Sequence, residues 1–367
     1  MRIFVMFVVL FMFLLIVQNN MVMSMKMRMR GPIRDAIENG AAAAYNKNDC
    51  IWKQENDQNP CIDPDIYVYL YTPDRPRKLL DSSEKSDWLR QDYESSKENI
   101  LLIHGYAGGD DTLPIAVLRD AYLKNGSYNV FLVDWSMLSA PPCYPAAVAN
   151  LRPVAKCLAN ILTTLRNLGL SIAKTTCVGH SLGAHICGIM TNFLLFRMNR
   201  IIGLDPARPL LRPGLLNRLD AGDANFVEVI HTNAGYYGET GRVGHVDFCV
   251  NGGKMQPFCE DKEKNQLCSH VWAVCFMAQS IDDSGASLIA ESCSRRCPSG
   301  PRIIGIAGER TTMGQHTPID TRGSFCLNKL DPPYCPKYLN GHGDERCCVT
   351  ETTQNNEQIQ NNTSMKQ

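Results

Sequence analysis

In the stretch CVGHSLGAHICG (177–188), Ser181 stands between Gly179 and Gly183, two positions from each. A serine so placed can attack an acyl carbon if it sits on a sharp strand-to-helix turn. Glycines on either side let neighbouring backbone approach, and a following helix offers N–H groups and its positive dipole end to a developing oxyanion. With 27 glycines in the chain the spacing arises readily by chance, so the setting must decide. A serine hydroxyl also needs a histidine base, itself held in one tautomer by a buried carboxylate. When such a serine ends a strand of a parallel α/β sheet, these follow in the order serine, acid, histidine. Asp205, just before Pro206, is the leading acid, although an Asp-Pro pair also forms turns and Asp220, Asp223 and Asp247 compete. Five histidines follow Asp205: His231, His245, His270, His316 and His342. His270 is favoured because it opens the helical stretch HVWAVCFMAQSI directly after Cys268, where a disulfide would hold it still. The residues alone leave that choice open.

The elements that must position these groups follow an α/β rhythm, short strand-like and helix-like segments alternating from about residue 50 to 335. NILLIHG (99–105) and NVFLVDW (129–135) are apolar runs bounded by turn residues, as central parallel strands are. Residues 146–168 are apolar at helical spacing and closed by Gly169, with Pro153 expected to kink or restart the helix. TTCVGH (175–180) reads as a strand, LGAHICGIMTNFLLF (182–196) as a helix, and RIIGLD (200–205) and NFVEVIHT (225–232) as strands. Ser181 therefore falls on a strand-to-helix junction, and Asp205 at the C-terminal end of the next strand, where such sheets place chemistry. No internal repeat is found.

The whole chain sets wider bounds. Its 367 residues are 44% hydrophobic, enough for a real core, and its 37 basic and 37 acidic residues balance, so no general attraction to nucleic acid is expected. A charged start at Arg2, an apolar run over 3–17 and a polar Gln18-Asn19-Asn20 have the layout of a secretory signal peptide. The run is shorter than the ~20 residues of a spanning helix. The expected division is a signal peptide over 1–24, a basic leader or pro-segment over 25–44, the α/β domain over 45–349 and a disordered polar tail over 350–367. Sixteen cysteines fit an exported, disulfide-rich protein, as do the sequons at Asn125 and Asn361. Cys293 and Cys297 lack the partners of a zinc site, and adjacent Cys347 and Cys348 are expected to bond elsewhere.

The blocks ILLIHGYAGG, FLVDWS, VGHSLGAHICG, IIGLDPARP, VIHTNAGYYGETGRVGHVDFCVNGGKMQPFC and CSHVWAVCFMAQSI, spread over about residues 60–335, resemble the pancreatic lipase family of α/β hydrolases. TTMGQHTPIDTRGSFCLN resembles a later strand region of the same family. The resemblance implies an α/β-hydrolase fold with a central, mostly parallel sheet flanked by helices. It implies a triad of Ser181, Asp205 and His270, with oxyanion donors from the backbone N–H of Tyr106 and Leu182. Within the family the likeness runs to insect members, wasp and hornet venom phospholipases A1. It rests on two short loops: Cys259 and Cys268, an implied disulfide, bracket only EDKEKNQL, and the loop between Thr232 and Gly244 is brief. An open cleft with a polar rim suits a lipid whose head group stays hydrated. The implied reaction is hydrolysis of a phospholipid sn-1 ester at a membrane or micelle surface, with a triacylglycerol or galactolipid lipase as the alternative and a silent lipid carrier disfavoured by the intact triad.

Two departures from the family pattern remain. About thirty residues follow Cys335, too few for a C-terminal β-sandwich, so neither that domain nor a colipase-type partner is expected, and the protein is expected to be a monomer. Vertebrate members hold calcium in a carboxylate cluster after the acid. Here Arg218, Asp220 and Asp223 are kept, but Arg208 stands where that pattern has an acidic ligand. Its cation is expected to repel Ca²⁺ and to pair with the aspartates, leaving no metal or other cofactor.

Overall fold

The computed structural model describes residues 49–330 except 56–60, 62, 74, 81–91, 113, 213, 261–263, 282–287, 294–296 and 298–307. The expected signal peptide, leader and polar tail, with His342, Cys347, Cys348 and the Asn361 sequon, lie outside the described residues.

The chain begins with an antiparallel pair, β1 (Tyr67–Thr72) and β2 (Arg75–Leu79), before β3 (Glu98–Ile103), α1 (Ile115–Asn125) and β4 (Tyr128–Asp134). Next come α2 (Tyr144–Asn167), β5 (Thr175–His180), α3 (Leu182–Thr191), β6 (Met198–Leu204) and β7 (Ala224–His231). The last part holds β8 (Val246–Val250), α4 (Asn265–Ile281), β9 (Ile289–Ser292), β10 (Arg310–Thr312) and β11 (Gly323–Leu327). All strands join one eleven-stranded sheet in the order β10-β9-β11-β8-β7-β6-β5-β3-β4-β1-β2. From β4 to β11 the pairing is parallel, and antiparallel strands close both edges.

Alternation along the strands explains the layering. In β3, Ile100 and Leu102 pack on one face with Ile115, Leu118, Trp272 and Phe276 of α1 and α4, whereas Leu101 and Ile103 pack on the other with Leu151, Leu158, Leu182 and Ile186 of α2 and α3. Each such side chain contributes about 1.5–3 kcal/mol on full burial, and a strand buried on both faces must read as a continuous apolar run. β3 pairs with β4 on one side and β5 on the other, so the strand order reverses there and opens a crevice at the C-terminal ends of the strands.

Three elements differ from expectation. α2 passes through Pro153 as one helix, because Leu151, Val154 and Ala155 around it are buried in the core and their packing offsets the lost backbone bond. α3 stops at Thr191 rather than 196; the N–H of Asn192 turns back on Ile189 and Met190, and Phe193, Leu194 and Phe196 reach the core from a loop. α4 starts at Asn265, so Cys268 lies inside the helix and His270 in its second turn.

Six disulfides join described residues. Cys50–Cys143 and Cys61–Cys157 tie the N-terminal segment to the start and body of α2, and Cys177–Cys187 joins β5 to α3. Cys249–Cys297, Cys259–Cys268 and Cys293–Cys326 brace the C-terminal third. Cys293 and Cys297 are thus in separate bridges. This density of disulfides fits an extracellular protein. Among the described residues no helix is long and apolar enough to cross a membrane.

Candidate active site

Ser181 is the single residue between β5 and α3, and its backbone is strained, with φ 57° and ψ −118°. The two flanking glycines explain how that turn fits. A Cβ on Gly179 would lie 2.4 Å from the Gly183 carbonyl, and one on Gly183 would lie 2.2 Å from the Ile103 oxygen, so strand, helix and β3 approach closer than any side chain allows. The turn is held by the Ser181 N–H donating to Leu204 O at 3.0 Å and by the N–H groups of Ala184 and Ala207 donating to Ser181 O, both at 3.2 Å.

Asp205 follows β6 with φ 40°, its N–H donating to Ile230 O at 2.8 Å. Its carboxylate is wholly buried and fully employed. Oδ1 accepts the backbone N–H groups of Thr232 and Asn233 at 2.9 and 3.0 Å, and Oδ2 accepts His270 Nδ1–H at 2.6 Å. With the Nδ1 proton committed to Asp205, Nε2 of the neutral imidazole is left as an acceptor, the tautomer a general base requires. Among the described residues no hydrogen bond joins Ser181 Oγ to the imidazole. Such contacts tighten when substrate binds.

His180, beside the serine, ties the two halves together. Its Nε2–H donates to the His270 carbonyl at 3.1 Å, and the two rings stand 4.7 Å apart. Burial, reinforced by neighbouring His270, lowers its pKa to about 3, so it is a neutral strut. The start of α4 is fixed by Asn233, whose side-chain amide donates to Gln266 Oε1 at 2.8 Å, and by Ser269 Oγ, which accepts the Gln256 N–H at 3.0 Å.

The two expected oxyanion donors lie on either side of the serine. Leu182 opens α3, where a backbone N–H has no intrahelical acceptor. A Cβ on Gly105 would lie 2.8 Å from Ser181 Cβ and 3.4 Å from Oγ, so the chain entering Tyr106 runs against the serine. His104 fixes that turn: Nδ1–H donates to Gly105 O at 2.8 Å while Nε2 accepts the Trp135 N–H at 3.1 Å. The Tyr106 ring packs edge-on against Tyr144 at 5.0 Å.

The competing acids and bases are employed elsewhere. Asp220 accepts the Gly222 N–H and Asp223 accepts the Asp220 N–H, a reciprocal cap on the turn before β7. Asp247 accepts His231 Nε2–H at 2.9 Å and the N–H groups of Val243 and Gly244. His245 Nδ1 accepts the Val227 N–H, and His316 is exposed in the turn before β11. Among the described residues His270 alone of these histidines hydrogen-bonds to Asp205.

His185 was not singled out by the sequence, although it lies one turn after Ser181. Its Nε2–H donates to Ala207 O at 2.6 Å and its Nδ1 accepts the Leu219 N–H at 3.1 Å, pinning both ends of the segment that follows the acid; burial lowers its pKa to about 4. The expected pairing of Arg208 with the aspartates is not what the structure has. Arg208 donates to Gly235 O at 2.7 Å, because the bridge between Ala207 and Gly238 carries its side chain toward the opposite loop. Arg218 faces Glu239 at 3.5 Å. With Asp223 accepting both the Asp220 N–H and the Thr191 hydroxyl, Asp220 capping Gly222, and the Arg197 guanidinium near Asp223, these carboxylates do not fit a calcium site.

Cys259 and Cys268 form the bridge implied for the short segment between them, and part of that segment, Asn265–Leu267, is already the first turn of α4. A family model described as Lipase matches residues 36–295. Phospholipase A1 member A of Rattus norvegicus is 35% identical over 235 residues, covering 62% of this chain and 51% of that protein. Pancreatic triacylglycerol lipase of Oryctolagus cuniculus is 31% identical over 267 residues (62% and 57%), and phospholipase A1 of Vespula squamosa is 29% identical over 253 residues (63% and 83%). The chain spans about half the length of the first of these relatives. A serine elbow, a buried aspartate bonded to one histidine and this match across most of the α/β domain agree: the chain belongs to the lipase family.

Proposed function

We propose that the protein is an exported carboxylic-ester hydrolase that cleaves the sn-1 acyl ester of phospholipids. The observation that carries the reading is the 2.6 Å bond between His270 Nδ1 and a fully buried Asp205, set beside a strained serine at a helix N-terminus. In this mechanism His270 Nε2 takes the Ser181 proton as Oγ attacks the ester carbonyl. The oxyanion is met by the N–H groups of Tyr106 and Leu182, each worth ~10²–10³ in rate. The imidazolium, stabilised by Asp205, then gives its proton to the departing lysolipid oxygen. Water, deprotonated by the same nitrogen, cleaves the acyl-enzyme.

The short, polar bridge segment between Cys259 and Cys268 supports phospholipid over neutral oil, because eight residues cannot cover the cleft with an apolar lid. The apolar start of the chain and the disulfides support export. The test is the product profile from a phosphatidylcholine carrying different acyl chains at sn-1 and sn-2, set beside fatty acid release from a triglyceride emulsion. Release of the sn-1 acid and a 2-acyl lysolipid is expected, and Ser181→Ala should release neither while keeping its fold. Turnover of the triglyceride alone would replace this substrate with the neutral-lipid one, and hydrolysis by the serine variant would end the assignment.

A further inference from the structure

The segment 206–219 leaves the sheet beside the nucleophile. Its Ala207 N–H bonds Ser181 O at 3.2 Å, Arg208 N–H bonds Tyr237 O at 2.8 Å, and Pro209 O accepts the Tyr144 hydroxyl at 3.1 Å, next to the Tyr106 turn. At its far end the Leu219 N–H is held by His185 of α3. Its sequence, PARPLLRPGLLNRL, has five leucines and three arginines but no carboxylate. Leu219 alone among the leucines is buried; Leu215 and Leu216 keep 68% and 60% of their surface in water, and Leu210 is exposed as well. Met137, in the turn that follows β4 and whose Ser139 carbonyl accepts the Ala107 N–H, adds a further exposed apolar side chain at the same edge of the sheet. Leu211 is half-buried against the core, but the exposure of Leu210, Leu215 and Leu216 is unexplained by it, for α3 already has its apolar face buried.

The arginines give the strip its charge. Arg208 spends one nitrogen on Gly235 and Arg218 faces Glu239, while Arg212, between the two leucine pairs, is exposed with no partner among the described residues. Leucines interleaved with cations, without an acid, match a surface that is apolar beneath and anionic at the phosphate level. We infer that Leu210, Arg212, Leu215 and Leu216 form a docking surface for a phospholipid bilayer, the three exposed leucines entering between acyl chains and Arg212 meeting lipid phosphate. The surface thereby sets the mouth beside Ser181 against the membrane. This rests on the phospholipase reading, since it supplies that enzyme with its contact to substrate, but docking is measurable without turnover.

The experiment is co-sedimentation of the full chain carrying Ser181→Ala with vesicles of phosphatidylcholine, with and without phosphatidylglycerol. Adding Leu215→Ser and Leu216→Ser should weaken binding about tenfold or more on both vesicles. Adding Arg212→Glu should weaken it roughly tenfold on the anionic vesicles and much less on the zwitterionic ones. In the protein with Ser181 intact, the leucine variant should hydrolyse a soluble short-chain ester within about twofold of the parent, which shows that the fold and site persist. Parent-like vesicle binding by either variant overturns the inference. So does a lipid-free parent that sediments as a dimer when the leucine variant is a monomer, because a second copy would then cover the strip. Failure of the parent to hydrolyse any ester while it still binds vesicles would sink the enzymatic reading and leave the docking surface standing.

Discussion

The replacement of Asp205 by asparagine separates the geometry from the mere presence of charge. The two backbone N–H groups of Thr232 and Asn233, at 2.9 and 3.0 Å from Oδ1, admit only an oxygen there. The amide nitrogen is therefore driven to the Oδ2 position, 2.6 Å from His270 Nδ1. A donor in that place requires Nδ1 to accept, which moves the imidazole proton to Nε2 and removes the acceptor for Ser181. Flipping the amide to restore the tautomer leaves two buried donors facing an NH₂ group, at about 1–3 kcal/mol each. The wrong tautomer is thus favoured by roughly 2–6 kcal/mol, and a triad so altered loses about 10⁴ in kcat, or some 5.5 kcal/mol of transition-state stabilisation. The assay is kcat/KM on a soluble short-chain ester, with thermal melting to show that the isosteric change leaves the fold intact. Activity within tenfold of the parent in a folded Asp205→Asn protein refutes the assignment of the acid and with it the tautomer argument.

Two further outcomes follow from contacts around the same groups. A Cβ at Gly238 would lie 2.5 and 2.6 Å from the two Asp205 carboxylate oxygens, so Gly238→Ala must push the acid or its loop aside; a displacement of this kind lowers kcat/KM about 10²-fold, and an unchanged rate would show that the loop yields freely. His180 and His185 are buried neutral, with pKa values lowered to about 3 and about 4 by burial, whereas the unfolded chain protonates them near 6.5. Their contribution is complete above pH 6.5 and is lost as pH falls toward 4 and then 3, at about 1.4 kcal/mol per pH unit for each. Denaturant midpoints across that window should fall less steeply for His185→Gln, and an identical slope would contradict its neutral buried state.

The strained turn at Ser181, the candidate nucleophile, was legible because two independent signals met at it: the glycine spacing and the change from strand to helix periodicity. The base was not. His270 lies 65 residues after Asp205, and its choice over His231 or His245 depends on β6, β7 and α4 meeting at one edge, which no local pattern encodes. The acids show the same limit, since Asp220 and Asp223 carry the same charge as Asp205 but spend it on a cap that only the folded turn reveals. The neutral struts His180 and His185 are visible as letters in the elbow, yet their work lies in long-range bonds to His270, Ala207 and Leu219. Disulfide partners were likewise unreadable apart from Cys259–Cys268, which the family resemblance supplied.

The bridge between Cys177 and Cys187 encloses the serine in a covalent ring closed across a sequence separation of 10 residues. Its strand end and its helix end cannot drift apart independently, so a fluctuation that frees α3 must drag β5, at the centre of the sheet, with it. The surroundings of Ser181 consequently loosen only together with the middle of the sheet, while loops tied by no such ring can fray alone.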